Sequence, residues 1–523
     1  MSEQKQNRDR PYAYDFDAEW DVEKALLGKN DPVPKQQEPV YRRSTSPGSN
    51  RQRRPSGKKR PIGSARRKRS GANLRGWLIL GGIGLAILLI IVLLISLIVS
   101  ALTSSDQEIP VETRPHYTEE ASGESSYTPT AEELLIQKAD RVAAGYDYNG
   151  AVDVLRTYGA DWESNASLAA ARDRYLALKD SAVAWEDPTQ VPHLAFHTLV
   201  ADPERAFNSV DGVGFNQNMV TVEEFRSILT QLYNNGYVLV NLHQFARYGM
   251  DEDGKQTYLP GNINLPEGKT PIIISQDDVN YYEYMVDTDG DRLADAGNGF
   301  ASRIVIDDDG FPTCEYYTAS GELVTGEYDL VPVLEAFIQE HPDFSYKGAR
   351  AVLSVTGFEG VFGYRTHPEW RLILGEEGYK EEVRAAQDVA RCLKEHGWEI
   401  ASHSFAHTVY SELTDEELAS DVKKWENQVQ PIVGDSDIFV FPYGGDIEDN
   451  EEIYNSDAYD LLYDAGYRYF LNISSGENFA QLTREYVRQG RRYVDGYTML
   501  FEPEQLSDLF NVSEALDSSR PVN

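Results

Sequence analysis

Two histidines four residues apart, His403 and His407, close the segment WEIASHSFAH at residues 398–407. Imidazoles at this spacing within one turn share a face and can bind one divalent cation through ring nitrogen. The spacing also arises by chance, so the pair alone is weak evidence for a metal site. It becomes specific when a third ligand is supplied by another part of the chain.

Two adjacent carboxylates, Asp277 and Asp278, end an apolar run in KTPIIISQDDVNYYEY at residues 269–284. A β-branched run of this kind predicts a buried parallel strand. Neighbours at a strand end point to opposite sides, so one acid could hold a metal while the other accepts a proton. An Asx-rich turn after a core strand would explain the same residues. One Asp with two His would give the three-ligand, one-open-position set of a catalytic metal site.

Alternating strands and helices from Val191 onward would bring these motifs together. The pattern predicts an α/β fold, a distorted (β/α) barrel over residues 188–500. In such barrels the chemistry occurs at the carboxyl ends of the strands, where every candidate residue falls. The predicted strands begin near residues 191, 237, 272, 351, 398, 437 and 467. The predicted helices cover about 221–235, 331–340, 381–395 and 458–464, and one more opens at the capping box 414–417.

An insertion at residues 285–330 interrupts the alternation. It contains a predicted hairpin with a DDG turn, and before it the segment DTDGDRLAD at 287–295. The alternating Asp residues resemble a calcium loop but lack the distal Glu of an EF-hand, so a solvated acidic loop is the other interpretation. Residues 501–523 are assigned to a C-terminal tail.

The N-terminal part has a different character. Residues 76–102 include 26 consecutive uncharged residues from Trp77, which predicts a single transmembrane helix. Residues 41–75 hold 13 Lys or Arg and no acid, so the positive-inside bias places the tail, residues 1–75, in the cytoplasm and the rest outside the cell. A linker at 103–130 and a tetratricopeptide-like helical hairpin at 131–187 follow. One such repeat cannot bury its own face, so it is expected to pack on the next domain.

Charge divides at the same place. Residues 1–75 carry 19 basic and 9 acidic side chains, whereas the remainder carries 30 basic and 76 acidic ones. The basic stretch favours contact with the lipid bilayer, although nucleic acid would also fit it. The acidic remainder does not suit a polyanion, so no nucleic-acid partner is predicted. Two cysteines allow at most one disulfide.

The motifs resemble those of the polysaccharide deacetylases, the NodB-homology enzymes of carbohydrate esterase family 4. SQDD at 275–278 is similar to the family's T-F-D-D-G motif, HSFAH at 403–407 matches H-[ST]-x-x-H, and FPYG at 441–444 matches P-[YF]-G. The resemblance implies that Asp277 is the general base and that the Tyr443 N–H forms part of an oxyanion hole. It implies a metal held by Asp278, His403 and His407, and substrate contacts from Pro442, Tyr443 and Tyr281.

Three departures from the family pattern stand out. Val279 replaces the motif glycine, Val440 occupies the position of the usual Arg partner of the base, and no histidine follows His407. The beginning of the barrel is similar to circularly permuted poly-N-acetylglucosamine deacetylases, in which the strand bearing the general-acid His comes first. His197 maps onto that position. A strand-end His bonded to backbone is the alternative interpretation.

The resemblance implies a membrane-anchored extracellular enzyme that hydrolyses N-acetyl, or O-acetyl, groups on cell-wall or secreted aminosugar polymers. Zinc is the default metal, with iron, cobalt or nickel compatible with the same ligands. The departures leave open a surface glycan-binding or scaffold protein that has lost turnover. Glycoside hydrolysis ranks last, because it needs two carboxylates across a cleft.

Overall fold

Seven parallel strands of the described chain close into a barrel whose spatial order follows chain order. The computed structural model describes residues 129–449, 453–474 and 478–521. Each strand pairs with the next and the last pairs with the first, so the predicted α/β barrel is confirmed. The strands are β1 (His193–Phe196), β2 (Thr270–Gln276), β3 (Val352–Val355), β4 (Glu399–Ser402), β5 (Ile438–Val440), β6 (Tyr469–Ile473) and β7 (Val487–Tyr493).

Side chains alternate between the barrel interior and the surrounding helices. On β2, Ile272 and Ile274 pack in the outer core and Ile273 packs with the inner cluster, as period-two alternation requires. The inner cluster also includes Val352, Ile438, Tyr469 and Val487. Towards the carboxyl ends the buried residues become polar, and the interior there ends in charged and imidazole groups.

Helices surround the barrel, and two of them begin at the capping boxes that the sequence predicted. Capping boxes open the helices after Thr221 and after Thr414, each with a Glu three residues on that bonds back to the cap. The longest helix starts ten residues earlier than predicted and contains a kink at Gly375, whose φ is 72°. The helices around the barrel are Val222–Asn234, Leu330–Glu340, Arg371–Glu395, Asp415–Gln428 and Asp457–Asp464, with shorter ones at Pro203–Phe207, Gly212–Asn218, Leu242–Phe245, Glu283–Val286, Gln430–Val433, Gly496–Phe501 and Val512–Ala515.

One barrel strand differs from the prediction. The strand predicted near residue 237 forms at Tyr237–Leu239 but lies outside the closed ring, where it pairs with the first half of β2 and makes one bridge from Leu239 to Ser345. Its place in the ring is taken by β7, which the sequence analysis did not predict. The sequence of β7, VRQGRRY, has three arginines and one glycine, so its hydrophobic pattern gives no sign of a buried strand.

Three helices fill the segment predicted to be a helical hairpin, Ala131–Ala144, Tyr148–Arg156 and Ala166–Ser181. Their buried face shares a hydrophobic cluster with the barrel's inner residues. The Tyr146 hydroxyl donates to the carbonyl of Asp343 at 2.7 Å. The helices thus bury their apolar face against the barrel, as a lone repeat must.

The insertion contains a three-stranded antiparallel sheet, Arg303–Ile306, Pro312–Tyr317 and Leu323–Gly326. The predicted DDG turn joins the first two strands. Further short antiparallel pairs join Ala246–Met250 with Gln256–Pro260, Val183–Ala184 with Asn264–Leu265, and Phe479–Leu482 with β7. Cys314 and Cys392 are both buried and both free.

The predicted cytoplasmic tail, the predicted transmembrane helix at 76–102 and nearly all of the predicted linker lie outside the described residues. Among the residues that are described, no helix combines the length and apolar character needed to cross a bilayer. The residues assigned to the C-terminal tail extend back over the barrel, and Leu506, Leu509 and Phe510 are buried in the outer core.

At the amino end of the barrel, His243 lies between two carboxylates. Its Nδ1 contacts Glu399 at 2.5 Å and its Nε2 contacts Asp437 at 3.0 Å. Burial lowers the pKa of His243, but the bonds to Asp437 and Glu399 outweigh it and raise the pKa to about 10. The imidazole is therefore charged in the folded protein at neutral pH.

We expect His243→Gln to destabilise the protein in a pH-dependent way. Because the folded pKa lies above the unfolded value, the stabilisation is complete below about pH 6.5 and is lost as pH rises through about 10. Denaturant unfolding of both proteins at several pH values measures the difference in free energy of unfolding. A difference that grows with pH would contradict the assignment.

Candidate metal and catalytic site

The three predicted metal ligands meet at the carboxyl end of the barrel. One ligand atom from each of Asp278, His403 and His407 lies within 4.8 Å of the others. Asp278 follows β2 and the two histidines follow β4, so the fold joins segments more than 120 residues apart in sequence. The His407 Nε2 lies 3.5 Å from the Asp278 Oδ2.

The chemical state of the imidazoles suits a cation. The Nδ1 of His403 lies 2.9 Å from the carbonyl oxygen of Val440. A carbonyl only accepts, so Nδ1 carries a hydrogen and Nε2 is the ring nitrogen that remains for a cation. Burial lowers the pKa of His407 to about 4, so this ring is neutral at pH 7. Ring nitrogens from two histidines and one carboxylate fit a divalent metal of the zinc type.

Two residues of this cluster and one residue at its border have left-handed backbone conformations. Asp278, His407 and Tyr443 have φ values of 57°, 53° and 57°. Non-glycine residues in this region cost free energy and persist where the surrounding fold imposes them, often at functional sites. Val279 is absent from the positive-φ residues, so the valine that replaces the motif glycine carries no such strain.

The loop that carries the two histidines is irregular and not a helical turn as predicted. A buried carboxylate, Asp421, fixes it from the helix Asp415–Gln428. Its two oxygens accept the backbone N–H groups of Phe405 and Ala406 at 2.7 and 2.9 Å. No sequence pattern indicates this role, because Asp421 lies inside an ordinary amphipathic helix.

The second acid, Asp277, is fully buried in an ion pair with Arg491 of β7. Its Oδ1 accepts from Nη1 at 2.7 Å and its Oδ2 accepts from Nη2 at 2.9 Å. The Ser354 hydroxyl also donates to Oδ1, at 2.9 Å. Burial opposes ionisation, but the Arg491 guanidinium outweighs it and holds the pKa of Asp277 far below its usual range.

Arg491 corrects one conclusion of the sequence analysis. With valine at position 440, the Arg partner of the base had been considered absent. The guanidinium instead comes from Arg491, 51 residues further along the chain than Val440, and it reaches the carboxylate of Asp277. A motif search limited to the residues before P-Y-G cannot find it.

His197 lies at the end of β1 beside the two acids. Burial opposes ionisation of the nearby Asp278, but the imidazoles of His407, His403 and His197 outweigh it and lower the pKa of Asp278. The His197 Nδ1 bonds to the carbonyl of Asn218 at 3.0 Å, and the ring stacks on Tyr493 at 5.2 Å between centroids. The hydrogen bond to a backbone carbonyl, which the alternative interpretation of His197 predicts, is therefore present. The ring also lies next to the Asp277 and Asp278 carboxylates.

The P-Y-G segment follows β5 and borders the metal cluster. The ring centroid of Tyr443 lies 4.5 Å from that of His407, and Pro442 is buried. Gly444 has φ 67°, and a Cβ there would approach Ile473 to 2.5 Å, so only glycine fits. The segment thus brings the Tyr443 backbone to the rim where the predicted oxyanion contact would lie.

The substrate contact predicted for Tyr281 is wrong for its side chain. The ring is fully buried, and its hydroxyl donates to Asp329 at 2.5 Å. This tyrosine points into the core between β2 and the insertion. Tyr282, the next residue, contacts the site instead.

The acidic loop of the insertion brings Asp287, Asp289 and Asp295 together within 4.8 Å. Backbone N–H groups of the loop already donate to these carboxylates, for example Gly290 to Asp287 and Gly297 to Asp295. The cluster is explained by these turns, and calcium at 287–295 stays a prediction.

Tyr282 holds the carboxylate of Asp278, the predicted metal ligand. Its hydroxyl donates to the Asp278 Oδ1 at 2.7 Å and contacts the Thr356 hydroxyl at 3.0 Å. We expect Tyr282→Phe to lower metal affinity by about 10–100-fold, because outer hydrogen bonds orient a ligating carboxylate. Titration with a competing chelator measures this change. Tyr284→Phe, one ring further out, is the matched control, and equal affinities in all three proteins would contradict the role.

A comparison with known protein families agrees with the placement of these motifs. Residues 374–470 match the family model described as polysaccharide deacetylase, a range that contains both histidines and the P-Y-G segment. No curated protein matches the chain. A solved structure, Streptococcus pyogenes deacetylase PplD in complex with acetate, is similar with 13% identity and a TM-score of 0.34, over 63% of this chain and 99% of that one.

Proposed function

We propose that the chain, whose residues 374–470 match the polysaccharide deacetylase family model, hydrolyses N-acetyl groups on an extracellular aminosugar polymer. The observation that carries the proposal is one barrel rim that holds both the Asp278, His403, His407 cluster and the buried Asp277–Arg491 pair. The family match does not include the two acids. Their convergence with the histidines is a separate, geometric argument.

The metal would be held by Asp278, His403 and His407. When bound there, a divalent ion would polarise the acetyl carbonyl and make water a stronger nucleophile at neutral pH. Zinc suits this ligand set, and iron, cobalt and nickel are the other candidates.

The protein's own groups would move the protons. Asp277, kept ionised by Arg491, accepts the proton of the water whose oxygen adds to the acetyl carbon. The Tyr443 N–H donates to the oxygen that becomes negative. His197 then donates its proton to the nitrogen as the C–N bond breaks. The products are acetate and a free amine.

The geometry removes two reasons for favouring an inactive binding protein. The base has its Arg partner, and Val279 occupies an unstrained position with its N–H bonded to the Ser354 carbonyl at 3.1 Å. The glycoside hydrolase alternative gains nothing, since Asp277 and Asp278 are consecutive residues at one strand end and do not flank a cleft.

The proposal also includes where the protein lies and which substrate it uses. An uncharged segment at 76–102 after a basic stretch supports a single-pass anchor with the barrel outside the cell. A tethered site would act on acetylated glycan near the membrane, either peptidoglycan or a polymer like poly-N-acetylglucosamine. Hydrolysis of O-acetyl groups uses the same chemistry and is the lesser candidate.

Acetate release from defined N-acetylglucosamine oligomers and from peptidoglycan tests the function with the full-length protein. We expect free acetate and deacetylated products of unchanged chain length. Binding without acetate would support the scaffold alternative, and shortened oligomers would support glycoside hydrolysis. Either result would overturn the proposal.

A further inference from the structure

We propose that Arg520, near the C-terminus, is a positioning residue for the proton donor His197. The inference rests on the function proposed above and adds to it a part of the chain far from every motif. Arg520 does not touch the site. It acts through the segment 216–219, whose carbonyl holds the His197 ring.

The Arg520 guanidinium is buried and all its donor nitrogens are engaged. Nε and Nη2 donate to the two oxygens of Glu224, at 2.7 and 2.5 Å. Nη1 donates to the Asn216 carbonyl at 2.6 Å and Nη2 to the Met219 carbonyl at 2.8 Å. The side chains of Arg520 and Glu224 are 1% and 0% exposed, so solvent does not weaken the pair.

These two carbonyls flank the group that holds His197. Asn218 lies between Asn216 and Met219, and its carbonyl accepts from the His197 Nδ1 at 3.0 Å. A second bond ties the same segment to the chain end, from the Asn216 amide to the Pro521 carbonyl at 3.0 Å. Arg520 therefore fixes the backbone on both sides of the carbonyl that orients the imidazole.

A close approach from β7 completes the arrangement. Gly496, just beyond β7, lies so near this point that a Cβ would come within 2.3 Å of the Arg520 Nη1 and collide with the Asn216 carbonyl. The residue before it, Asp495, is buried. Segment 216–219 is thus held between the C-terminus and the strand that supplies Arg491.

The chemical consequence concerns one proton. With Nδ1–H bonded to the Asn218 carbonyl, the other ring nitrogen is left to deliver a proton to the leaving amine. An amide needs that proton, because an amine anion is a very poor leaving group. An aryl ester does not, since a nitrophenolate leaves without protonation. Misplacing His197 should therefore slow amide hydrolysis and spare aryl ester hydrolysis.

The test compares both substrates in Arg520→Lys, which keeps a positive charge near Glu224 but loses the planar fork that reaches two carbonyls. We expect kcat for an N-acetylglucosamine oligomer to fall on the order of 10-fold, part of the roughly 10²–10⁴-fold that acid catalysis supplies. Hydrolysis of nitrophenyl acetate should change by less than about 2-fold. His197→Ala should lower the rate of amide hydrolysis further while also sparing aryl ester hydrolysis. In the His197→Ala protein, the additional change Arg520→Lys should lower the rate of amide hydrolysis little further.

A matched control exists in Arg350, which pairs with Glu335 through Nε and Nη2 at 2.9 Å each and donates to two backbone carbonyls. Arg350→Lys removes an equivalent buried fork that holds no site residue. We expect it to lower stability without changing the ratio of the two rates. If Arg520→Lys does not fold, the double variant Arg520→Met, Glu224→Met takes its place in the test. It replaces the buried ion pair by apolar groups, a change that often preserves stability.

The outcomes separate the two proposals. If the parental protein hydrolyses neither substrate, the proposed function fails. If it hydrolyses both and Arg520→Lys slows them equally, as a merely structural residue would, the positioning role is overturned. A selective loss on the amide that disappears in the His197→Ala background supports it.

Discussion

Asp277→Asn is expected to lower the rate of acetate release by about 10²–10⁴-fold, the usual contribution of a general base. Asparagine keeps the size of the side chain but cannot accept the proton of the attacking water. Because Arg491 already holds Asp277 on both oxygens, the fold orients the carboxylate before substrate arrives. Steady-state assay of acetate release by the full-length variant measures the effect.

The same substitution also leaves Arg491 buried without its counter-charge, which typically costs about 3–5 kcal/mol. Loss of activity could then reflect unfolding. The double variant Asp277→Asn with Arg491→Met separates the two effects, because it removes the buried charge and should recover much of the stability. We expect it to stay inactive. A double variant that regains activity along with stability would show that Asp277 is only structural.

The positions of Asp277, Asp278, the two histidines and the P-Y-G segment could be predicted because each lies directly after an apolar strand in a short recognisable motif. Parallel strands then bring their carboxyl ends to one rim, so the convergence of Asp278 with the two histidines follows from the barrel alone. Local signals fixed the helix starts equally well, as at Thr221 and Thr414.

What the sequence did not predict depends on contacts between distant segments. Arg491 lies on a strand rich in arginine, and only its ion pair with Asp277 makes burial of that charge tolerable. Asp421 and Arg520 likewise act by holding backbone groups, which leaves no pattern in sequence. The sequence predicted Tyr281 at the site, whereas Tyr282 lies there. The left-handed backbone at Asp278 and Tyr281 turns the chain, so strand alternation no longer predicts which side chain faces the site.

Removal of the metal is expected to abolish activity. Dialysis against a strong chelator should lower acetate release by more than about 10²-fold, and zinc, iron, cobalt or nickel added back singly should show which ion restores it. Binding to the folded state alone also stabilises it, by about 4 kcal/mol when free metal is 1,000 times the Kd. The midpoint of thermal unfolding should therefore fall on chelation and recover with the active ion.

His407→Asn tests the ligand set without chelator. Its imidazole lies 3.5 Å from Asp278 and 5.0 Å, between ring centroids, from His403, so its loss leaves two ligands and should release the ion. Elemental analysis should find about one equivalent of metal in the parental protein and far less in the variant. His243→Gln removes an imidazole at the opposite end of the barrel and should keep both metal and activity. If elemental analysis shows that the chelated protein is free of metal and the protein is still fully active, the metal-dependent mechanism is wrong. The prediction for Asp277 is tested separately by its own variants.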